Sequence, residues 1–82
     1  MVSFTILVDC PDEKGLIYRI TNVLYNRQLN IVKNREFVDG DTNRFFMRTE
    51  VEGTADENIL QEELGAALPP QSSVKIITAR QK

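Results

Sequence analysis

Apolar and polar positions recur regularly enough along the chain to divide it into strands and helices. Phe4-Thr5-Ile6-Leu7-Val8 is apolar and β-branched and predicts a central strand, with Phe4, Ile6 and Val8 on one side and Thr5, Leu7 and Asp9 on the other. Cys10-Pro11-Asp12 ends it, because Pro11 has no N–H to give to a ladder. Leu16, Ile17, Ile20, Val23 and Leu24 then recur at three- and four-residue spacing, the stripe of an amphipathic helix, with Tyr18, Arg19, Asn22 and Asn26 off it. Asp12 is placed to cap this helix and Glu13 to bring negative charge to its first turn. The helix fades at Arg27-Gln28, and Leu29 packs below it.

Asn30 to Val38 has the weaker pattern of an edge strand. Its odd positions are Ile31, Lys33, Arg35 and Phe37, its even ones Val32, Asn34, Glu36 and Val38. Neither set is cleanly apolar, which suits an edge protected by charge and leaves its register open. Asp39-Gly40-Asp41-Thr42 is a turn. Arg44 to Glu52 pairs back with clean alternation: Phe45, Met47 and Val51 face in, and Phe46, Arg48, Glu50 and Glu52 face out. Thr54-Ala55-Asp56-Glu57 reads as a capping box for a second helix carrying Ile59, Leu60, Leu64 and Leu68, which Pro69-Pro70 stops. Val74 to Thr78 is the last strand and Gln81-Lys82 a polar tail.

The order β-α-β-β-α-β predicts an α+β, ferredoxin-like two-layer sandwich in one domain over residues 1–82. Right-handed crossovers put both helices on one face of a four-stranded antiparallel sheet. The other face is left open, with Leu7, Phe46 and Ile77 beside Thr5, Arg48, Glu50 and Lys75, and is expected to be a contact surface.

Charge and composition narrow the uses of such a fold. Ten Lys+Arg against twelve Asp+Glu give a net charge of -2, so nothing concentrates the chain on nucleic acid or an anionic membrane. Cys10, the single cysteine, has no partner for an internal disulfide, which suits a reducing compartment. No apolar run is long enough to span a bilayer, and Met1-Val2-Ser3 has no basic character of a signal peptide, so a cytoplasmic location is expected. Histidine is absent, which removes the imidazole base, the Ser–His and Cys–His nucleophile pairs and the common zinc frameworks. An enzyme could still use carboxylates or Lys, but the usual toolkit is missing, and no catalytic residue, metal ligand or cofactor is expected.

Fold alone does not give function, so each known use of this plan stands or falls on the residues at its site. A phosphate-cradling loop after the first strand is excluded by the acidic centre of Cys10-Pro11-Asp12-Glu13-Lys14-Gly15. RNA recognition needs several stacking aromatics on the central strands, and Phe46 is the one convincing candidate. A small-ligand module fits better. A strand-to-helix loop offers free N–H groups to a carboxylate, and Asp12 offers an acceptor to an ammonium group. Gly15 permits close approach, and Asn30 both donates and accepts. Together these groups could read the zwitterionic end of an amino acid.

The D-x-x-G-L loop at Asp12–Leu16, followed by Asn30-Ile31 opening the second strand, resembles the ACT domain over essentially the whole chain. ACT domains are regulatory modules that bind amino acids, commonly at dimer interfaces. By this resemblance the ligand residues are Asp12, Lys14, Gly15, Leu16, Asn30 and Ile31, two copies pair, and the loop faces the partner. Contacts to a further subunit or domain are expected at Leu7, Phe46, Arg48 and Ile77. Val8-Asp9-Cys10-Pro11-Asp12-Glu13-Lys14-Gly15-Leu16 and Phe45-Phe46-Met47-Arg48 further resemble the opening and third strand of the formyltetrahydrofolate deformylase family, although Val32–Glu36 departs from that family's D-Q-H pattern. Those enzymes hydrolyse 10-formyltetrahydrofolate to formate and tetrahydrofolate in one-carbon and purine metabolism, with an N-terminal ACT domain and a formyltransferase-like catalytic domain. The resemblance implies that this chain is the non-catalytic regulatory part, with methionine or glycine as ligand and the catalytic domain as partner. The alternative is a free-standing ACT protein that dimerises or docks without a ligand.

Overall fold

In a computed structural model, which describes residues 2–80, the chain runs β1 (Val2–Pro11), α1 (Leu16–Asn26), β2 (Asn30–Asp39), β3 (Arg44–Gly53), α2 (Glu57–Ala67) and β4 (Ser73–Arg80). The strands form one antiparallel sheet in the order β2-β3-β1-β4. This is the expected α+β, ferredoxin-like arrangement. The tail at Gln81-Lys82 lies outside the described residues.

Period-two alternation decides which face of the sheet meets the helices. Phe4, Ile6, Val8 and Cys10 of β1 are buried with Phe45, Met47 and Val51 of β3 and Ile76 of β4. They form one cluster with Leu16, Ile20 and Leu24 of α1 and Leu60 and Leu64 of α2, closed at the ends by Leu29 and Leu68. Thr49 continues the inward series of β3 although the sequence reading passed over it. Its buried hydroxyl donates to Asn34 Oδ1 at 2.7 Å, which removes the cost of an unpaired polar group.

Both helix starts differ from the sequence expectation. Asp12 does not cap α1: its N–H donates to the Asn43 carbonyl at 2.9 Å, so it still belongs to the strand end. The cap is Gly15, whose backbone is left-handed at φ 83°, and whose carbonyl accepts the Arg19 N–H. Glu13 thus falls outside the first turn and pairs instead with Arg19 at 2.7 Å. Thr54 does not cap α2 either. Ala55 packs against the core ahead of the helix, and the cap is Asp56, extended itself, whose carboxylate accepts from the N–H groups of Asn58 and Ile59. Glu57, the predicted box partner, accepts from Thr78 Oγ1 instead. The apolar stripes are also narrower than their sequence patterns, since Ile17 and Ile59 are exposed.

β2 pairs only with β3, and a bulge between Ile31 and Lys33 fixes the register that the sequence left open. Its side chains lie beyond the helix layer, and all but Asp39 are exposed. The chain enters β2 through Leu29, which sits against Gly53. A Cβ at Gly53 would meet Leu29 Cδ2 at 2.7 Å.

Candidate functional site

The loop from β1 to α1 and the flank of α1 build a trough along the uncovered side of the molecule. At one end Asp12, Glu13, Gly15, Leu16 and Ile17 surround a groove of about 240 Å³ with Val38 and Phe45. The first N–H groups of α1 open here without a side-chain cap, which favours an anion at this end. The Asp12 carboxylate makes no hydrogen bond among the described residues and remains an acceptor for a cation, while Arg19 occupies Glu13. Lys14 is exposed and does not line this groove.

Asn30 and Ile31 lie elsewhere. They line a groove of about 500 Å³ with Tyr18, Thr21, Asn22, Leu24, Tyr25 and Leu29. Asn30 stands opposite Glu52, which pairs with Ser3 at the start of β1, whereas Asp12 follows the end of β1 at Pro11. The two halves of the expected ligand set are thus a strand's length apart, about 30 Å at about 3.3 Å per residue. Within one copy the structure brings Asp12, Gly15 and Leu16 together and keeps Asn30 and Ile31 away from them. Both grooves border α1 and β2, so they are two ends of one face.

Several lining residues escaped the sequence reading. Tyr18 and Tyr25 recur seven apart on α1 with Asn22 between them, and are 73% and 80% exposed. That spacing was visible as a second, aromatic stripe opposite the apolar one. Val38 and Ile17 carried no such signal, because only the pairing of β2 beside the loop puts them there.

The open face of the sheet holds a third groove, of about 520 Å³. Leu7, Phe46 and Arg48, three of the expected contact residues, line it together with Asp9, Arg35, Phe37 and Lys75. Ile77 shares this face opposite Thr5, exposed and just outside the groove. Cys10 is buried in the core, and burial pushes its thiol up despite the opposing influence of Ser72 and Arg44 nearby. It is poorly suited to nucleophilic chemistry. Among the described residues no three His, Cys, Asp or Glu side chains come together as a metal site, and no helix is long and apolar enough to cross a membrane.

Comparison with known proteins places this geometry. The sequence profile of the ACT domain matches residues 4–68. Formyltetrahydrofolate deformylase of Haemophilus influenzae is 51% identical over 77 residues, covering 94% of this chain and 28% of the enzyme. The Escherichia coli K12 enzyme of the same name is 59% identical over 63 residues, covering 77% of this chain and 22% of the enzyme. The chain thus spans about a quarter of the length of these relatives. The crystal structure of a formyltetrahydrofolate deformylase from Pseudomonas syringae superimposes with a TM-score of 0.84 at 23% identity, over all of this chain and 29% of the other.

Proposed function

The chain belongs to the ACT domain family, and from that premise we propose that two copies pair through β2 to form shared amino-acid sites that regulate a catalytic partner. The observation that carries the reading is the separation of Asp12–Leu16 from Asn30-Ile31 at opposite ends of one uncovered face. Antiparallel pairing of β2 with its copy about a two-fold axis sets the copy's Asn30 beside the first chain's Val38, next to the Asp12 loop. Each site then takes its loop from one copy and its Asn30 from the other. The α-ammonium group of the ligand meets Asp12, the α-carboxylate meets the start of α1, and Asn30 bonds to either. The exposed Ile31, Val32 and Val38 support burial of this edge, as do Tyr18 and Tyr25 on α1.

The ligand in this reading is methionine or glycine, as the family resemblance implies. The likeness to the two deformylases supports a catalytic partner that deformylates formyltetrahydrofolate; that partner is then a formyltransferase-like domain, and both act in the cytoplasm. In this reading the chain itself performs no chemistry. A ligand regulates by binding two assembled states unequally, a coupling of about 1–3 kcal/mol.

Calorimetric titration with methionine and glycine tests the shared site. Asp12→Ala and Asn30→Ala each abolish binding when alone. After mixing and subunit exchange the two variants regain one intact site per mixed dimer. Absence of that recovery, with both variants folded and dimeric, overturns the shared site. A second reading, a dimerising module without ligand, rests on the same uncovered β2. It predicts dimers in sedimentation and no thermal stabilisation by any amino acid.

A further inference from the structure

The open face of the sheet carries a cationic row that the amino-acid site does not use. Register places Arg35 of β2 opposite Arg48 of β3, Arg48 opposite Leu7 of β1, and Leu7 opposite Lys75 of β4. At about 4.8 Å between strands this row crosses the sheet over about 14 Å. Like charges directly opposite on adjacent strands oppose folding, so the fold alone gives no reason for the Arg35–Arg48 pair. The three ion pairs among the described residues are Arg19–Glu13, Arg27–Glu63 and Arg44–Asp9, and none includes a member of the row. Glu50 lies beside Arg48 in a neighbouring cleft, and Asp9 and Glu36 line the groove itself; Asp9 is held by Arg44, and none of the three is within ion-pair distance of the row. A chain with more acidic than basic residues has thus gathered unmatched cations on one face.

Beside the row lies an apolar floor. The rings of Phe37 and Phe46 stack at 6.1 Å between centroids, and Phe37 is 63% exposed. Arginine and aromatic side chains set together on a flat face are the composition of a protein contact.

We infer that this face docks an acidic polypeptide segment whose carboxylates meet Arg35, Arg48 and Lys75 and whose apolar side chain rests on Phe37 and Phe46. The row is too long for one small carboxylate to satisfy. A second copy laid face to face offers mostly the same cations. The negative net charge of the chain weighs against nucleic acid. The acidic partner supplies the counter-charge that Asp9, held by Arg44, and Glu36 do not give to the row, and it leaves the α1 side free for the amino-acid site.

Fluorescence anisotropy with the full chain tests this. The probes are a short labelled peptide alternating Glu and Leu about one Phe, its Lys-for-Glu counterpart, and a single-stranded oligouridylate of equal length. The acidic peptide binds saturably, and weakens as salt rises from about 0.01 M to about 0.1 M while the Debye length falls from about 30 to about 10 Å. Arg48→Glu weakens it about tenfold or more, and Asp12→Ala leaves it unchanged. Amide shifts map to Leu7, Arg48 and Lys75. The proposal fails if the acidic peptide does not bind, if the Lys peptide binds as well, or if oligouridylate binds more tightly. It also fails if folded Arg48→Glu binds equally, or if Arg48→Glu converts an oligomer to monomer, which makes the face a contact between copies.

Discussion

β2 and β3 are ten residues each, joined by a short turn and paired over most of their length, yet they live in different environments. On β3 alternate residues are buried: Phe45, Met47, Thr49 and Val51. On β2 their cross-strand neighbours Val38, Glu36, Asn34 and Ile31 face the same way and are exposed. Pairing carries a strand into the sheet, but only the reach of the helix layer buries its side chains. A strand left outside that layer is free to hold apolar residues for another copy and charges for another partner.

The largest test of this contrast is truncation on either side of one pair. Phe45→Ala is expected to cost about 3–5 kcal/mol by urea unfolding, since it opens a cavity in the core. Val38→Ala, directly opposite, is expected to cost no more than about 0.5 kcal/mol. Equal losses would break the comparison. Gly53→Ala is expected to cost about 1–3 kcal/mol, because Gly53 has φ 150° and its new methyl group meets Leu29 at the entry to β2. Unchanged stability would show that Leu29 yields freely and that this contact does not fix where β2 begins.

Among the described residues one side-chain hydrogen bond links β2 to the core, and it gives an asymmetric pair. Asn34→Ala leaves the Thr49 hydroxyl buried without its acceptor, for an expected loss of about 1–3 kcal/mol. Thr49→Val removes the hydroxyl itself and is expected to cost less, about 1 kcal/mol. The reverse order would mean that water reaches Thr49. Charge on β2 behaves oppositely to apolar burial on β3. Arg35→Glu is expected to raise stability by about 0.2–1 kcal/mol, by replacing a like-charged neighbour of Arg48 with a partner. The same change weakens the acidic peptide, so a gain in folding accompanies a loss in docking.

The smallest effect concerns the edge of the helix layer. Arg27 at the end of α1 makes two hydrogen bonds to Glu63 of α2, at 2.7 and 2.6 Å, and holds that carboxyl below its ordinary 4.5. The folded value is depressed, so its stabilisation is present above pH 4.5 and is lost as pH falls through the folded value. Glu63→Gln is expected to be slightly less stable than the native chain near neutrality and to match it in acid. A gap that persists in acid would assign the effect to packing.

Much of the fold could be read from residue order. Phe4, Ile6 and Val8 alternate, and Leu16, Ile20 and Leu24 recur at helical spacing, so each declares its inward face without help from distant residues. The helix caps could not be placed this way. Asp12 and Thr54 have the right chemistry for caps, but Asn43 holds the first in the strand end and the second helix is capped by Asp56. The candidate site was half legible. The Asp12–Leu16 loop is contiguous and forms one groove, whereas its supposed companion Asn30 is near in motif and far in space.

By itself the sequence determined the six elements, their order and the inward face of every strand but one, because periodicity is a local property of the chain. The tertiary structure alone decided the bulge that sets β2, the separation of Asp12 from Asn30, and the meeting of Arg35, Arg48 and Lys75 in one row. Those outcomes depend on which strands lie side by side and how far the helices extend over them. Both are set by packing between residues distant in sequence, which no local pattern records.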